Sequence, residues 1–284
     1  MGVRIYTNID AMNADRHLGI TSAGLSRSIQ RLSSGLRINT AADDAAGLAI
    51  SERLRAQVRG NNQAVRNTQD GISLIQTAEG ALDEVHSMLQ RIRELNVQAA
   101  NGTVSANDRT SIGNEAIELG DAIDRIATTT QFNNLILLDG NFGTLTLQIG
   151  PNGDAPPQLY TTTLAMQDMQ MAALNLGTFT TAGGATNIAG ATEANQNLIT
   201  IDAAIDQVST FRALIGARQN MLEHVITSLN VASENQAAAE SRVRDLDVAT
   251  ETVNFTKLQI LQQAGTAVLA QANVAPQTVL QLLR

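Results

Sequence analysis

The chain has 284 residues, 27 acidic against 19 basic side chains and a formal net charge of -8, with 2% aromatics and no tryptophan. That balance excludes a nucleic-acid binder and a polybasic membrane-surface binder, both of which need clustered cations to meet phosphates. The absence of cysteine excludes disulfides, zinc–thiolate sites and thiol nucleophiles, and the scarcity of aromatics leaves Leu, Ile, Val and Ala, the residues of helix seams, to fill any core.

The first stretch, MGVRIYTNIDAMNADRHLG, holds no continuous apolar run, so no cleavable signal peptide is expected. Its Met-Gly start lacks the Ser or Thr that myristoylation wants at position 6, where Tyr6 stands. Leu18, Leu25, Ile29, Leu32 and Leu36 then recur at helical steps as one stripe. INTAADDAAG interrupts it. Asn39 and Thr40 are turn formers, and Asp43 and Asp44 suit the start of a new helix, where the macrodipole favours negative charge.

The second helix should run from there to Ala99, with a seam through Leu54, Val58, Val65, Ile72, Ile75, Leu82, Val85, Leu89, Ile92 and Asn96. Such a helix is about 80 Å long, too long for a compact globule of this size. NGTVSAND ends it, and Ser105 with Asp108 has the spacing of a capping box. The third helix carries Ile112, Ala116, Leu119, Ile123 and Ile126 and is expected to fold back on the second. In such a hairpin, position 91 lies level with 115–116. Arg91 and Leu95, four apart, share one helix face and would meet Glu115 in an exposed cluster, beside an Arg91–Glu94 pair.

From Gln131 the pattern changes. Asp139-Gly140 and Asn152-Gly153 are hairpin-type dipeptides. Thr144–Ile149 alternates as a strand should, and QLYTTTLAM is a further strand candidate. Residues 177–195 are rich in Gly, Ala and Thr with hardly any charge, and read as a surface loop. Helix returns near Asn197, with Ile201, Ile205, Val208, Ile215, Leu222, Ile226 and Leu229 on its seam, and a last helix begins past RDLD.

The expected fold is therefore mainly α: a long antiparallel helical bundle, or coiled-coil core, with a small β-hairpin region in the middle of the chain.

The end of the chain is unusual. Ile260–Leu283 carries no charge, yet Gln262, Gln263, Gln271, Asn273, Gln277, Gln281 and Pro276 argue against a membrane span. Leu261, Gly265, Val268, Ala272, Val279 and Leu283 mark one face, while Leu258, Leu269 and Leu280 lie off it. A helix apolar on several faces must be buried on several faces. Other copies of the same helix would cover it, and a head-to-tail contact that does not close makes an open filament.

Several long motifs agree in order at both ends: RLSSGLRINTAADDAAGLAISERL (Arg31–Leu54), QRIREL (Gln90–Leu95), TTQFN (Thr129–Asn133), SENQAAAESRVRD (Ser233–Asp245) and QILQQAGTAVLAQAN (Gln259–Asn273). Through them the chain resembles bacterial flagellin over about residues 1–150 and 196–284. The resemblance implies an extracellular helical filament of identical subunits, secreted unfolded through the flagellum's own channel. It implies as partners the chain itself, the export apparatus and an export chaperone, and the hook-junction and filament-cap proteins. It also implies an inner terminal-helix domain (1–42 plus 246–284) and an outer helical-bundle domain (43–176 plus 196–245) with β-hairpins at about 131–170. The 177–195 loop is then a short variable surface segment in place of the outer domains that larger flagellins insert. A hook–filament junction protein shares the helix plan, but fits AGLAISERL and QILQQAGTAVLAQAN less well.

The same resemblance implies that Gln90, Arg91, Ile92, Glu94, Leu95 and Glu115 are read by the vertebrate Toll-like receptor that senses flagellin. It assigns self-assembly to Leu25, Ile29, Leu32, Leu36, Leu258, Leu261, Gly265, Val268, Leu269, Ala272, Val279, Leu280 and Leu283. No catalytic residue, cofactor or metal is expected. His17, His86 and His224 are scattered along helices, without a second ligand at metal spacing. The Asp43-Asp44 pair is accounted for by helix capping.

Overall fold

The computed structural model describes residues 8–153, 160–176 and 191–282, with backbone alone at 191–193 and 275–282. Its elements in chain order are helices α1 (Ile9–Ser34), α2 (Ala45–Ala100) and α3 (Ala106–Thr129), strands β1 (Gln131–Phe132), β2 (Leu135–Ile136), β3 (Thr144–Gln148) and β4 (Thr161–Ala165), and helices α4 (Ala191–Arg244) and α5 (Val248–Leu282). Among the described residues no helix is long and apolar enough to cross a membrane. The chain divides into two compact units, one joining the residues up to Ala56 to those from Glu234 onward, the other being Gln57–Ser233.

In the first unit α1 and α5 run antiparallel. The Asn8 side chain opens α1 by accepting from Ala11 N–H at 3.0 Å, and its amide donates to the Ala272 carbonyl at 2.8 Å. The helix stops at Gly35, whose φ of 70° is left-handed and free of strain only without a Cβ. The two turns between helices are stitched together there. Arg37 N–H donates to the Arg244 carbonyl at 2.7 Å, and Leu246 N–H to the Gly35 carbonyl at 3.0 Å.

The acidic pair expected to start α2 divides the work. Asp44 accepts from Gly47 N–H at 2.8 Å and caps the helix. Asp43 instead folds back on the turn, accepting from the backbone N–H groups of Thr40 and Asn39 and from the Thr40 hydroxyl. The Thr40 backbone N–H is foremost in holding its carboxyl below the usual aspartate range. Asp247 caps α5, accepting from Ala249 and Thr250 N–H at 3.0 and 3.2 Å. Early α2 meets late α4 through Arg244–Glu52 at 2.5 Å and Arg55–Glu240 at 3.5 Å.

In the second unit α2 and α4 are antiparallel neighbours. Arg212 bridges to Glu79 and Asp83 at 2.8 and 3.0 Å, Arg93 to Asp202 at 2.6 Å, and the Ser233 hydroxyl reaches Asn62 at 3.1 Å. Helix α3 doubles back on α2 as expected, started by the Ser105–Asp108 capping box. The core is aliphatic: Leu74, Ile75, Leu82, Val85, Leu89, Ile92 and Leu95 from α2, Ile112, Ala116 and Ile123 from α3, and Ile201, Val208, Phe211, Ile215 and Leu222 from α4. Leu137, Leu138, Leu164, Met169 and Met171 extend it into the β region. Nearer its start α2 buries small or polar residues, Ser51, Asn61, Ala64 and Thr68, while Leu54, Val58, Val65 and Ile72 of the expected seam are half-buried. The β region presses on the helix backbone there, since a Cβ at Gly71 would sit 2.5 Å from Leu147 Cδ1.

One turn expectation is corrected. The tight hairpin is β1–β2, with Gln131 opposite Ile136, and its turn is Asn133-Asn134 rather than Asp139-Gly140. Both asparagines have positive φ, 47° and 67°, which a two-residue hairpin loop demands and asparagine tolerates. Asp139-Gly140 makes a local turn after β2, where the Asp139 carboxylate accepts from Asn141 N–H at 3.0 Å. Asn152-Gly153 falls in the long connection between β3 and β4, which pair antiparallel from Thr144–Ala165 to Gln148–Thr161. Helix α4 begins at Ala191, so residues 191–195 are helical rather than part of the expected loop, whose residues 177–190 lie outside the described ones.

Candidate functional site

The α1–α5 pair carries the residues expected to assemble. Its contact line is fixed by close approaches. Gly265 lets Leu18 come near, since a Cβ there would lie 3.3 Å from Leu18 Cδ1, and Gly24 does the same for Leu258 at 3.4 Å. Leu258, Gly265, Leu269 and Ala272, at steps of seven, four and three, are all half-buried on this face. On α1, Leu25 and Leu32 are half-buried, as is Leu36 just beyond it.

The covered face is shifted from the one expected: Gly265 and Ala272 of the expected stripe lie on it, but the other two described members of that stripe do not. Leu261 and Val268, placed on the main stripe, are 45% and 58% exposed, while Leu258 and Leu269, placed off it, pack on α1. Ile29, expected in the α1 seam, is 51% exposed. In a helix so rich in Ala, Gly and Leu, several faces satisfy the three-four spacing, and the approach at Gly265 and Gly24 selects one. The Val279 and Leu280 side chains, and Leu283 entirely, lie outside the described residues.

The face of α5 turned from α1 is apolar and open. Val253, Ile260, Leu261, Val268 and Val274 are exposed, and Thr252, Val253, Thr256, Lys257, Ile260 and Leu261 line a shallow groove. Helix α1 adds exposed Met12 and Ile20. Val253, Ile260, Met12 and Ile20 escaped the sequence reading. Their only signal was being large aliphatics off every assigned stripe.

The second candidate is the ridge at the α2–α3 hairpin. Arg91 donates through Nε and Nη2 to Glu115 Oε1 at 3.1 and 2.8 Å, and through Nη1 to Glu94 Oε2 at 3.1 Å. The Glu115 hydrogen bond, then that of Glu94, makes the guanidinium hold its proton still more firmly. All three side chains are about half exposed or more. Exposed Gln90 pairs with His86 Nε2 at 2.8 Å. Leu95, expected in the exposed cluster, is 1% exposed, and Ile92 is 0% exposed as its place on the α2 seam implies, so both belong to the core beneath the ridge. The sharing of a face by Arg91 and Leu95 is a matter of helix spacing alone, and the core takes the inner edge of that face. The surface patch is thus Gln90, Arg91, Glu94 and Glu115, polar throughout.

Among the described residues no three His, Asp or Glu side chains are grouped to hold a metal ion. Residues 5–143 match the bacterial flagellin N-terminal helical region, and residues 198–283 the bacterial flagellin C-terminal helical region. The chain is 50% identical over 280 residues to a flagellin of Halalkalibacterium halodurans, covering 99% of each. It is 47% identical over 291 residues to the flagellar filament 33 kDa core protein of Treponema phagedenis, again covering 99% of each. A putative flagellar hook-associated protein from Vibrio parahaemolyticus shares the fold alone, at 15% identity and a TM-score of 0.57 over 72% of this chain and all of that one. With both helical regions matched and relatives of nearly the same span, the chain belongs to the bacterial flagellin family: it is a structural, non-enzymatic subunit of the flagellar filament, outside the cell.

Proposed function

We propose that polymerisation runs through the α1–α5 pair, and that residues 1–42 with 246–284 act as the inner, assembling domain. One observation carries this. The side of α5 away from α1 leaves Val253, Ile260, Leu261, Val268 and Val274 in water, and exposed large aliphatics gathered on one helix are of the kind that marks an interaction site. The remaining assembly residues, Leu25, Leu32, Leu36, Leu258, Gly265, Leu269 and Ala272, act in this reading by pairing the two helices, while Ile29, Leu261 and Val268 meet neighbouring copies. The finer partners follow from the same role: an export apparatus and chaperone that keep the subunit from assembling early, and junction and cap proteins at the filament's ends. Removal of Ala264–Arg284 is expected to leave the Gln57–Ser233 unit folded and the chain unable to polymerise. Filaments of that truncation in electron micrographs would overturn the reading.

We further propose that the monomer is a ligand of the vertebrate flagellin-sensing Toll-like receptor, through Gln90, Arg91, Glu94 and Glu115. What supports this is the QRIREL motif together with the half-exposed, preorganised Arg91–Glu115 pair. Ile92 and Leu95 support that surface from below. Activation of receptor-bearing cells by monomer, and its weakening in Arg91→Ala, tests the reading.

A further inference from the structure

A crevice of about 250 Å³ opens between α1 and α5, lined by Gly24, Arg27, Ser28, Arg31, Glu251 and Lys257 among others. Its floor is unfinished. Ser28 is 2% exposed, and its hydroxyl has no hydrogen-bond partner. The Arg31 Nε–H is likewise buried without an acceptor, although its Nη2 lies 3.9 Å from Asp43. A buried polar group left unpaired costs free energy, so two such groups one helical turn apart on α1, both lining the crevice, mark a place where a partner is missing. The lining holds three cations, Arg27, Arg31 and Lys257, against one carboxylate, Glu251. The chemistry that completes it is an anion with two acceptor oxygens.

We infer that this crevice seats an acidic side chain of a second copy of the chain, held by Ser28, Arg27, Arg31 and Lys257. The inference rests on the reading of α1–α5 as the polymerising surface, and names one contact within it. Two observations select the occupant. Lys257 lines both the crevice and the exposed apolar groove of α5, so whatever covers the groove also reaches the crevice. Each copy carries a formal charge of -8, so copies repel and offer carboxylates in excess. A local surplus of cations at the contact turns that repulsion into register-setting attraction. Glu251, on the crevice wall, opposes a second anion and limits the seat to one.

The sequence supplies its own probe, because Lys257 is its only lysine. A water-soluble carbodiimide activates a carboxylate, and an amine in contact displaces the activating group to form an amide. Native filaments treated this way should yield covalent dimers, in which Lys257 is joined to an Asp or Glu of another copy, as read by peptide mass spectrometry. Monomers treated identically should yield none. Absence of the dimer from wild-type filaments, or its mapping to the chain's α-amine and not to Lys257, would overturn the seat. These outcomes leave the polymerising surface standing, which falls only if the Ala264–Arg284 truncation forms filaments.

Discussion

Arg91 and Glu115 are joined across the α2–α3 hairpin by two hydrogen bonds onto a single carboxylate oxygen, at 2.8 and 3.1 Å, with both side chains about half exposed. The pair fixes the guanidinium on the ridge and adds little to stability, because exposed ion pairs gain little over water. Arg91→Ala is therefore expected to leave helix content and the thermal midpoint nearly unchanged. If the receptor reads the ridge, monomer potency in receptor-bearing cells falls about thirty-fold or more, as for an anchor residue at an interface. Equal potency of variant and wild type would leave Arg91 a structural residue.

Leu95 makes the contrast. At 1% exposure within the aliphatic core, Leu95→Ala should cost about 2–5 kcal/mol of stability. Denaturant unfolding of the monomer measures this directly. Reduced signalling by this variant would report loosened packing beneath the ridge, whereas Leu95→Met, which conserves volume, should keep both stability and signalling.

The reassigned face of α5 separates two neighbouring substitutions. Val268→Asp puts a charge on an open surface, 58% exposed, so monomer helicity should persist while polymerisation is lost. Leu269→Asp puts it on the half-buried α1-facing side, where the charge loses part of its water without gaining a partner, so the α1–α5 pair itself should loosen. Circular dichroism and sedimentation of the two variants distinguish the outcomes. Similar loss of helix in both would restore the face expected from the sequence.

Acid should loosen the terminal unit through its caps. The Asp247 carboxyl is held below the ordinary aspartate value of 3.8, first by the Thr250 backbone N–H and then by the Thr250 hydroxyl. Its contribution is therefore complete above that value and is lost as pH falls through the lowered folded pKa. Asp43 shifts in the same direction, chiefly through the Thr40 backbone N–H. Helix content followed by circular dichroism should decline below about pH 4. Asp247→Asn, which still caps but cannot titrate, should remove part of that decline. An unchanged acid profile would show that the caps do not control it.

The helices are legible in the chain alone, because their signals are local. Long aliphatic periodicities mark where helices run, and the Ser105–Asp108 box and the Asp44 and Asp247 starts, whose groups lie within a few residues of one another, appear where their spacing places them. The Arg91–Glu115 contact was legible too, since one short connection fixes the register of a hairpin. Tertiary structure decided what spacing leaves degenerate. Helical steps alone cannot tell which side of an Ala- and Gly-rich helix is covered. In α5 the approach of Leu18 to Gly265, and of Leu258 to Gly24, chose Leu258 and Leu269 and left Leu261 and Val268 in water. Spacing put Leu95 beside Arg91, and only the packing of the helices around the aliphatic core buried one while exposing the other. The crevice at Ser28 was invisible for the same reason, because its lining comes from two helices more than 200 positions apart in the chain, brought together by folding alone.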